Sequence, residues 1–124
     1  MNQSSAIRVA AVSGFLAVAL GALGAHGLKH LLEQNLTVAI WEKAVFYHFI
    51  HTVMLFILAT RPRWAAGPWW AFLAGIVLFS GSLYLLAVMK VPWIVWITPV
   101  GGVCFLVGWL WLAAKPWLTS DLDR

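Results

Sequence analysis

A small set of polar side chains interrupts long apolar stretches of this 124-residue chain, and their types limit the chemistry available. The set comprises His26, His48, His51, Thr52, Ser80, Ser82, Tyr84 and Thr98. Imidazole and hydroxyl groups donate and accept hydrogen bonds, and histidine also ligates metals. A nucleophile, a base and an orienting carboxylate cannot be assembled, because no Asp or Glu lies deep in these stretches. We therefore predict no catalytic residues and a protein that is not an enzyme.

The histidine spacing leaves a metal or haem site open as one alternative. His48 and His51 are three positions apart, and His26 and His30 are four apart. Metal sites usually take three or four ligands, often including cysteine or carboxylate, but Cys104 stands alone in an apolar stretch. Haem with two histidine ligands would need a facing pair such as His26 and His51. We predict no metal site and no cofactor.

Helical spacing groups the polar residues on faces and in depth. Tyr47 and His51 are four positions apart, as are Ser80 and Tyr84, so each pair shares a helix face. We place Lys43 at the outer membrane surface. His51 lies eight residues further along the helix, which at about 1.5 Å per residue puts it about 12 Å deeper. We expect one polar pocket in the outer half of the membrane. Its candidate residues are His26, Tyr47, His51, Ser80, Ser82, Tyr84 and Thr98. The alternative interpretation is that these groups only join neighbouring helices.

The chain contains four uncharged stretches, at residues 9–24, 44–60, 67–89 and 91–114. These stretches must position the polar residues. Apolar residues make up 63% of the chain and charged residues 10%, against about 25% charged in soluble proteins. A bilayer core of about 30 Å needs roughly 20 helical residues, and helices satisfy their own backbone groups in lipid. The fold class is therefore all-α, an antiparallel bundle of four transmembrane helices. One integral membrane domain, 1–124, has spans at about 6–25, 38–60, 68–89 and 93–114 and a tail at 115–124.

The first connection differs from the others. Between Gly27 and Thr37, Leu28, Leu31 and Leu32 follow helical spacing, which predicts a short amphipathic helix on the outer surface. Thr37 is placed to begin the second span as its N-cap. The segment Asn35-Leu36-Thr37 also has the form of a glycosylation sequon, a motif that arises often by chance. The first span exceeds the 7–15 apolar residues of a signal peptide, so we expect it to be retained.

The distribution of charge indicates topology. The formal net charge is +4, but the basic residues are scattered singly, which argues against nucleic-acid binding. An inside N-terminus leaves five basic residues inside, at Arg8, Arg61, Arg63, Lys115 and Arg124, and three outside, at Lys29, Lys43 and Lys90. This excess predicts a multi-pass protein with both termini in the cytoplasm. The expected partners are membrane lipids, a second copy of the chain or a larger membrane complex.

Small residues and one proline indicate close packing between spans. Gly14 and Gly21 share a face, as do Gly101 and Gly108, and small residues let helices approach closely in lipid. Pro99 predicts a kink in the fourth span, with Thr98 available to satisfy freed carbonyl groups. The residues assigned to packing or kinking are Gly14, Gly21, Gly24, Gly81, Pro99, Gly101, Gly102 and Gly108.

Four segments carry a family resemblance. They are Gly21-Ala-Leu-Gly-Ala-His-Gly-Leu28, Tyr47 followed by His51, Phe79-Ser-Gly-Ser-Leu-Tyr84, and Thr98-Pro-Val-Gly-Gly102 with Gly108-Trp109. Together they resemble the YgdD/YwdK family of small bacterial inner-membrane proteins. The resemblance implies four spans, an inner-membrane location and no known molecular function. Its motif positions map onto Gly21, Gly24, His26, Tyr47, His51, Ser80, Gly81, Ser82, Tyr84, Thr98, Pro99, Gly101 and Gly102, whereas His48 fits the pattern less well.

These observations predict a non-enzymatic membrane protein. Its outer polar pocket would bind a lipid or small amphiphile, or the protein would support a larger membrane complex. A small dimeric transporter is the first alternative, although proton coupling of the kind used by small multidrug exporters needs a membrane carboxylate that the spans lack. Haem or metal binding is the second alternative.

Overall fold

A computed structural model describes residues 1–115 and contains five helices in that part of the chain. Helix α1 is Gln3–Ala25, α2 is Lys29–Asn35 and α3 is Val38–Thr60. Helix α4 is Ala66–Met89 and α5 is Pro92–Ala114. All but the short α2 are long and apolar enough to cross a membrane, which confirms the predicted fold class. Nearly all of the predicted tail, from residue 116 onward, lies outside the described residues.

Helix α1 begins three residues before the predicted span because Asn2 caps it. The Asn2 side chain accepts a hydrogen bond of 2.8 Å from the backbone N–H of Ser5. Such a cap satisfies one of the amides that the first turn of a helix leaves unpaired. At the same end of the molecule, the Gln3 amide donates to the carbonyl oxygens of Ala59 and Arg61, both at 2.8 Å. The start of α1 therefore covers the end of α3.

The four long helices lie side by side in the order α1, α3, α4, α5. Within residues 1–115, α1 has no Cα within 8 Å of α4 or α5, and α3 has none within 8 Å of α5. Neighbouring helices are antiparallel: Gln3 of α1 bonds the end of α3, whereas Trp41 near the start of α3 bonds Leu20 of α1. Clefts therefore open between α1 and α4 and between α3 and α5, and only side chains bridge them.

Helix α4 contains an irregularity that the sequence did not predict. Its segment Ile76–Ser80 is π-helical, and the N–H of Gly81 bonds the carbonyl of Ile76. The extra residue in this turn changes which side chains face α3 and α5 beyond it. Helix α5 starts as a 3₁₀ segment, Pro92–Trp96, so Pro99 falls in the first turn of the α segment Ile97–Ala114.

Glycines and aromatic rings alternate along the seam between α4 and α5. A Cβ on Gly75 or Gly108 would collide with the ring of Phe105 or Phe72, respectively. Gly67 faces the ring of Trp111 in the same way. Of these three contacts, only the one at Gly108 was predicted. The alternation lets two helices approach closely, which in lipid is how dispersion contacts hold helices together.

The other glycines predicted to lie at packing contacts differ in the space that a Cβ would have. A Cβ on Gly101 would collide with backbone atoms of Phe79, and one on Gly24 would collide with the Trp41 ring. A Cβ on Gly14 or Gly21 would make ordinary or slightly tight contact. Close packing does not require glycine at positions 81 and 102, where a Cβ would lie 3.9 Å from the Ile76 carbonyl oxygen and 3.8 Å from the Phe79 ring, respectively.

The loop between α2 and α3 covers the C-terminal end of α4. Thr37 is the N-cap residue of α3, as predicted, but its hydroxyl donates to the carbonyl of Ala87 at 2.7 Å and accepts no hydrogen bond from an amide of α3. Asn35 donates to the same carbonyl at 3.1 Å and to that of Val88 at 3.2 Å. Both polar residues of the sequon-like segment are therefore occupied in satisfying helix-end carbonyls.

Replacing Thr37 with Val is expected to lower the free energy of unfolding by about 1 kcal/mol, because one buried carbonyl loses a donor. Thr60→Val is the matched control, since that exposed hydroxyl bonds only carbonyls of its own helix. Its effect should stay within about 0.5 kcal/mol. Denaturant titration in mixed micelles measures both changes, and equal losses would contradict a capping role for Thr37.

Candidate functional site

The predicted pocket residues occur in separate places rather than around one cavity. His26 is exposed at the end of α1. Ser80 is fully buried against α3, where it donates to the carbonyl of Ala44 at 2.8 Å. Ser82 donates to the carbonyl of Phe79 and shares a 2.6 Å hydrogen bond with the Thr98 hydroxyl. The Thr98 hydroxyl thus joins α4 to α5 in place of the role predicted for it beside Pro99.

His48, which fitted the family pattern less well, is the centre of the largest polar group. Its Nε2 lies 3.1 Å from the Ser13 hydroxyl of α1, and its Nδ1 lies 2.9 Å from the Tyr84 hydroxyl of α4. Ser13 also shares a 2.6 Å hydrogen bond with Thr52. The histidine and the two aliphatic hydroxyls are each more than nine-tenths buried. This chain of four groups joins α1, α3 and α4.

His51 points toward a different neighbour. Its Nδ1 donates to the carbonyl of Tyr47 at 2.7 Å, and its Nε2 accepts the indole N–H of Trp109 at 3.1 Å. Because a carbonyl can only accept, these partners assign the neutral tautomer with the proton on Nδ1. The imidazole also stacks on Phe105, with ring centroids 3.7 Å apart. His51 is thus the polar bridge across the gap between α3 and α5.

The two histidines of α3 separate because of their angular spacing. Residues three apart on a helix differ by about 60° in direction, and residues four apart by about 40°. His48 consequently turns toward α1 and α4, whereas Tyr47 and His51 both face α5. Tyr47 and His51 thus share a helix face, as their spacing predicts, whereas His48 lies on a different side of α3.

A cleft of about 410 Å³ opens between α3 and α5, and we call it the α3–α5 cleft. It is lined by Tyr47, His51, Phe79, Pro99, Gly102, Val103, Phe105, Leu106 and Trp109. Tyr47 is 37% exposed, and its hydroxyl has no hydrogen-bond partner among the described residues. The cleft therefore presents one hydrogen-bonding group in a wall that is otherwise mostly aromatic and apolar.

Two further grooves follow the other side of α3. The α1–α4 groove, about 360 Å³, includes Ser13, His48 and Tyr84 among its lining residues. A third groove, about 460 Å³ and almost wholly apolar, lies between α1, α2 and α3, with Glu42 among its lining residues. All three grooves lie along the membrane-spanning helices, so in a bilayer they face lipid.

Four residues that hold these groups together were not among the predicted pocket residues. Ser13 and Trp109 were not candidates at all, and His48 and Thr52 were noted as polar but left out of the pocket. Ser13 could have been found, because it is the polar side chain in the middle of the first uncharged stretch. Trp109 gave no such signal, since tryptophan is common near membrane surfaces for other reasons.

No three metal-binding side chains come together within residues 1–115. His51 already uses both ring nitrogens, so ligating a metal ion or a haem would break its bond to Trp109 or to Tyr47. Cys104 is a free, half-buried thiol in α5. The polar groups of the spans are thus arranged for hydrogen bonding between helices and toward the clefts.

Comparison with known proteins places this architecture among bacterial membrane proteins. A family model described as "Protein of unknown function (DUF423)" matches residues 20–102. A UPF0382 membrane protein of Haemophilus influenzae is 43% identical over 120 residues, covering 94% of this chain and 96% of the relative. YwdK of Bacillus subtilis, named a UPF0382 membrane protein, is 40% identical over 110 residues, covering 84% and 89%. YgdD of Escherichia coli, named a UPF0382 inner membrane protein, is 43% identical over 105 residues, covering 81% and 79%. No solved structure matches the chain.

Proposed function

The chain belongs to the DUF423 family of UPF0382 membrane proteins, and from this premise we propose that it is a non-enzymatic inner-membrane protein that binds a glycerolipid in the α3–α5 cleft. The observation that carries the proposal is the Tyr47 hydroxyl, which lines the cleft without a partner among the described residues. A hydroxyl transferred out of water without a hydrogen bond is costly, so an acceptor from a ligand would stabilise it.

The depth of Tyr47 supports a glycerolipid as the ligand. Tyr47 lies four residues beyond Lys43, about 6 Å along the helix from the predicted outer surface. The ester carbonyls of a glycerolipid lie near the edge of the hydrocarbon core, within reach of a phenol at this depth. One acyl chain would then occupy the apolar part of the cleft beside Phe79 and Leu106.

The state of His51 supports binding rather than catalysis. Both of its nitrogens are engaged, and its ring is held between Phe105 and Trp109, so it offers no free base. With no carboxylate in the cleft lining, nothing there can activate a nucleophile or hold a coupling proton. The cleft instead provides a rigid aromatic wall with one hydrogen-bond donor, the arrangement of an orienting binding site.

The test uses vesicles containing a phosphatidylcholine with a photoreactive diazirine in one acyl chain. After irradiation, we expect adducts concentrated on the cleft residues of α5, between Pro99 and Leu106. Tyr47→Phe removes only the hydroxyl oxygen and should reduce cleft labelling by about three- to tenfold, the equivalent of one hydrogen bond. Labelling near Phe15, which is 72% exposed on α1, serves as the internal control and should not change. Equal labelling of both regions, or an unchanged cleft signal in the variant, would refute the proposal.

A further inference from the structure

Of the three grooves, the largest lies between α1, α2 and α3, with a volume of about 460 Å³, and we call it the α1–α3 groove. On α3 its lining runs from Val38 to Ile50, about 18 Å at the rise of a helix. On α1 its lining is Gly21, Gly24 and Ala25, whose small size leaves the space open. Both glycines belong to the first motif of the family resemblance. The motif therefore forms one wall of the groove.

The Trp41 ring forms a fixed floor for this groove. It is 4% exposed, and its indole N–H donates to the carbonyl of Leu20 at 2.9 Å. The ring also packs edge-on against Tyr84, with centroids 4.8 Å apart, and a Cβ on Gly24 would collide with it. A ring held by these three contacts cannot swing out to fill the groove. The site is therefore preformed, which lowers the cost of ordering it when a ligand binds.

The groove contains one charged side chain, Glu42, and its other lining residues are apolar. Glu42 is exposed and makes no hydrogen bond or ion pair with any described residue. It lies five residues beyond Thr37, whose hydroxyl bonds the end of α4, so its Cα is about 7.5 Å along the helix from that level. Helical side chains lean toward the N-terminus, so the carboxylate reaches back toward the helix ends. A negative charge therefore stands at the mouth of an apolar groove.

This arrangement fits a phospholipid that carries a positive charge in its head group. Glu42 would pair with that charge at the mouth, and Phe46 and Phe49, one and two turns deeper, would contact an acyl chain. The two phenyl rings are 61% and 46% exposed, so they are accessible to the chain. A lipid seated in this way keeps its charges at the membrane surface and places only hydrocarbon in the groove, which avoids the cost of burying a charge.

The chemistry of the head group decides among phospholipids. A primary ammonium donates its N–H groups to a carboxylate in charge-assisted hydrogen bonds. The quaternary ammonium of choline has no N–H to donate, and a glycerol head group has no positive charge. A self-complementary contact with a second copy of the chain would bury Glu42 against a lining that contains no cation. An ethanolamine head group is therefore the best match.

We infer that the α1–α3 groove binds phosphatidylethanolamine, whose ammonium pairs with Glu42 while one acyl chain lies in the groove. The phosphate of the same lipid can pair with Lys43, which is exposed and next to Glu42 on α3. This site and the α3–α5 cleft share no lining residue, so the inference does not depend on the proposed function.

The test is native mass spectrometry of the full-length protein in detergent micelles that contain phosphatidylethanolamine, phosphatidylcholine and phosphatidylglycerol in equal amounts, with identical acyl chains. We expect the phosphatidylethanolamine adduct to exceed each of the other two by about two- to fivefold, the range of an exposed ion pair. Glu42→Gln keeps the shape of the side chain and should abolish this preference. Glu33→Gln, the matched change at an exposed glutamate outside the groove lining, should retain it.

A second variant, Ala25→Phe, tests the location of the site. Ala25 is the last residue of α1, is exposed and lines the groove, so a phenyl ring there should fill the groove without entering the core. We expect the phosphatidylethanolamine preference to be lost. Ala22→Phe, at an exposed position of α1 outside the groove lining, should retain it, as should Tyr47→Phe in the other cleft. Equal adducts of the three lipids on the wild type, a preference that survives Glu42→Gln or Ala25→Phe, or a lipid-free dimer that Ala25→Phe dissociates would overturn the inference.

Discussion

Replacing Gly101 with Ala is expected to lower the free energy of unfolding by about 2–3 kcal/mol, the upper part of the range for overpacking. A Cβ at this position would lie 2.7 Å from the carbonyl carbon of Leu78 and from the Cα of Phe79. These are backbone atoms inside the π-helical segment of α4, and they cannot rotate away as a side-chain end can. The helices α4 and α5 must therefore separate at their closest approach.

Gly102→Ala is the matched control for this prediction. The two glycines are adjacent in α5, so both changes gain the same helix propensity. A Cβ on Gly102 would make only ordinary contact, 3.8 Å from the Phe79 ring. Gly102→Ala should therefore be neutral or stabilising by up to about 1 kcal/mol. Denaturant titration in mixed micelles measures the free energy of unfolding of both variants. Similar effects of the two changes would contradict the close backbone approach of α5 to α4 at Gly101.

Replacing His51 with Ala is expected to lower the free energy of unfolding by about 2–4 kcal/mol. The change removes the stack on Phe105 and leaves the indole N–H of Trp109 without its acceptor. Since no Cα of α3 lies within 8 Å of α5, only side chains such as His51 bridge the gap between the two helices at that level. Loss of the imidazole also widens the α3–α5 cleft, so the cleft should become accessible to larger probes.

Two controls separate the bridge from a general effect of losing a histidine. His30→Ala changes an exposed histidine of α2 and should alter stability by less than about 0.5 kcal/mol. Trp109→Phe removes the donor from the other side of the bridge. The double variant, His51→Ala with Trp109→Phe, should cost less than the sum of the single changes, because both remove the same hydrogen bond. Strict additivity would show that the two residues act independently.

Sequence alone determined the positions of the membrane-spanning helices. The predicted spans at 38–60, 68–89 and 93–114 match α3, α4 and α5 to within two residues, and the short helix before α3 was also expected. Span boundaries depend on local properties, namely apolar length and the charged, proline and tryptophan residues at the ends. The motif resemblance, which the comparisons confirm, likewise depends only on residues and their order.

The polar connections were decided by the tertiary structure. Ser80, Ser82 and Tyr84 lie within five residues of each other, yet they bond Ala44, Thr98 and His48 on two different helices. The π-helical turn at Ile76–Ser80 shifts these directions, and apolar composition does not encode it. His26 was expected in the same pocket and is instead exposed beyond the end of α1.

The physical reason for this division is that a helix in lipid can form from its own backbone bonds, whereas its rotation and its neighbours depend on side-chain fit. Apolar length therefore predicts each helix separately. The order α1, α3, α4, α5 and the resulting clefts depend on where Gly101 and Gly108 meet the residues of α4, and on which neighbour each histidine of α3 reaches. Only the packed structure separates the polar groups of the spans, with Tyr47 and His51 beside the α3–α5 cleft and His48 and Tyr84 beside the α1–α4 groove.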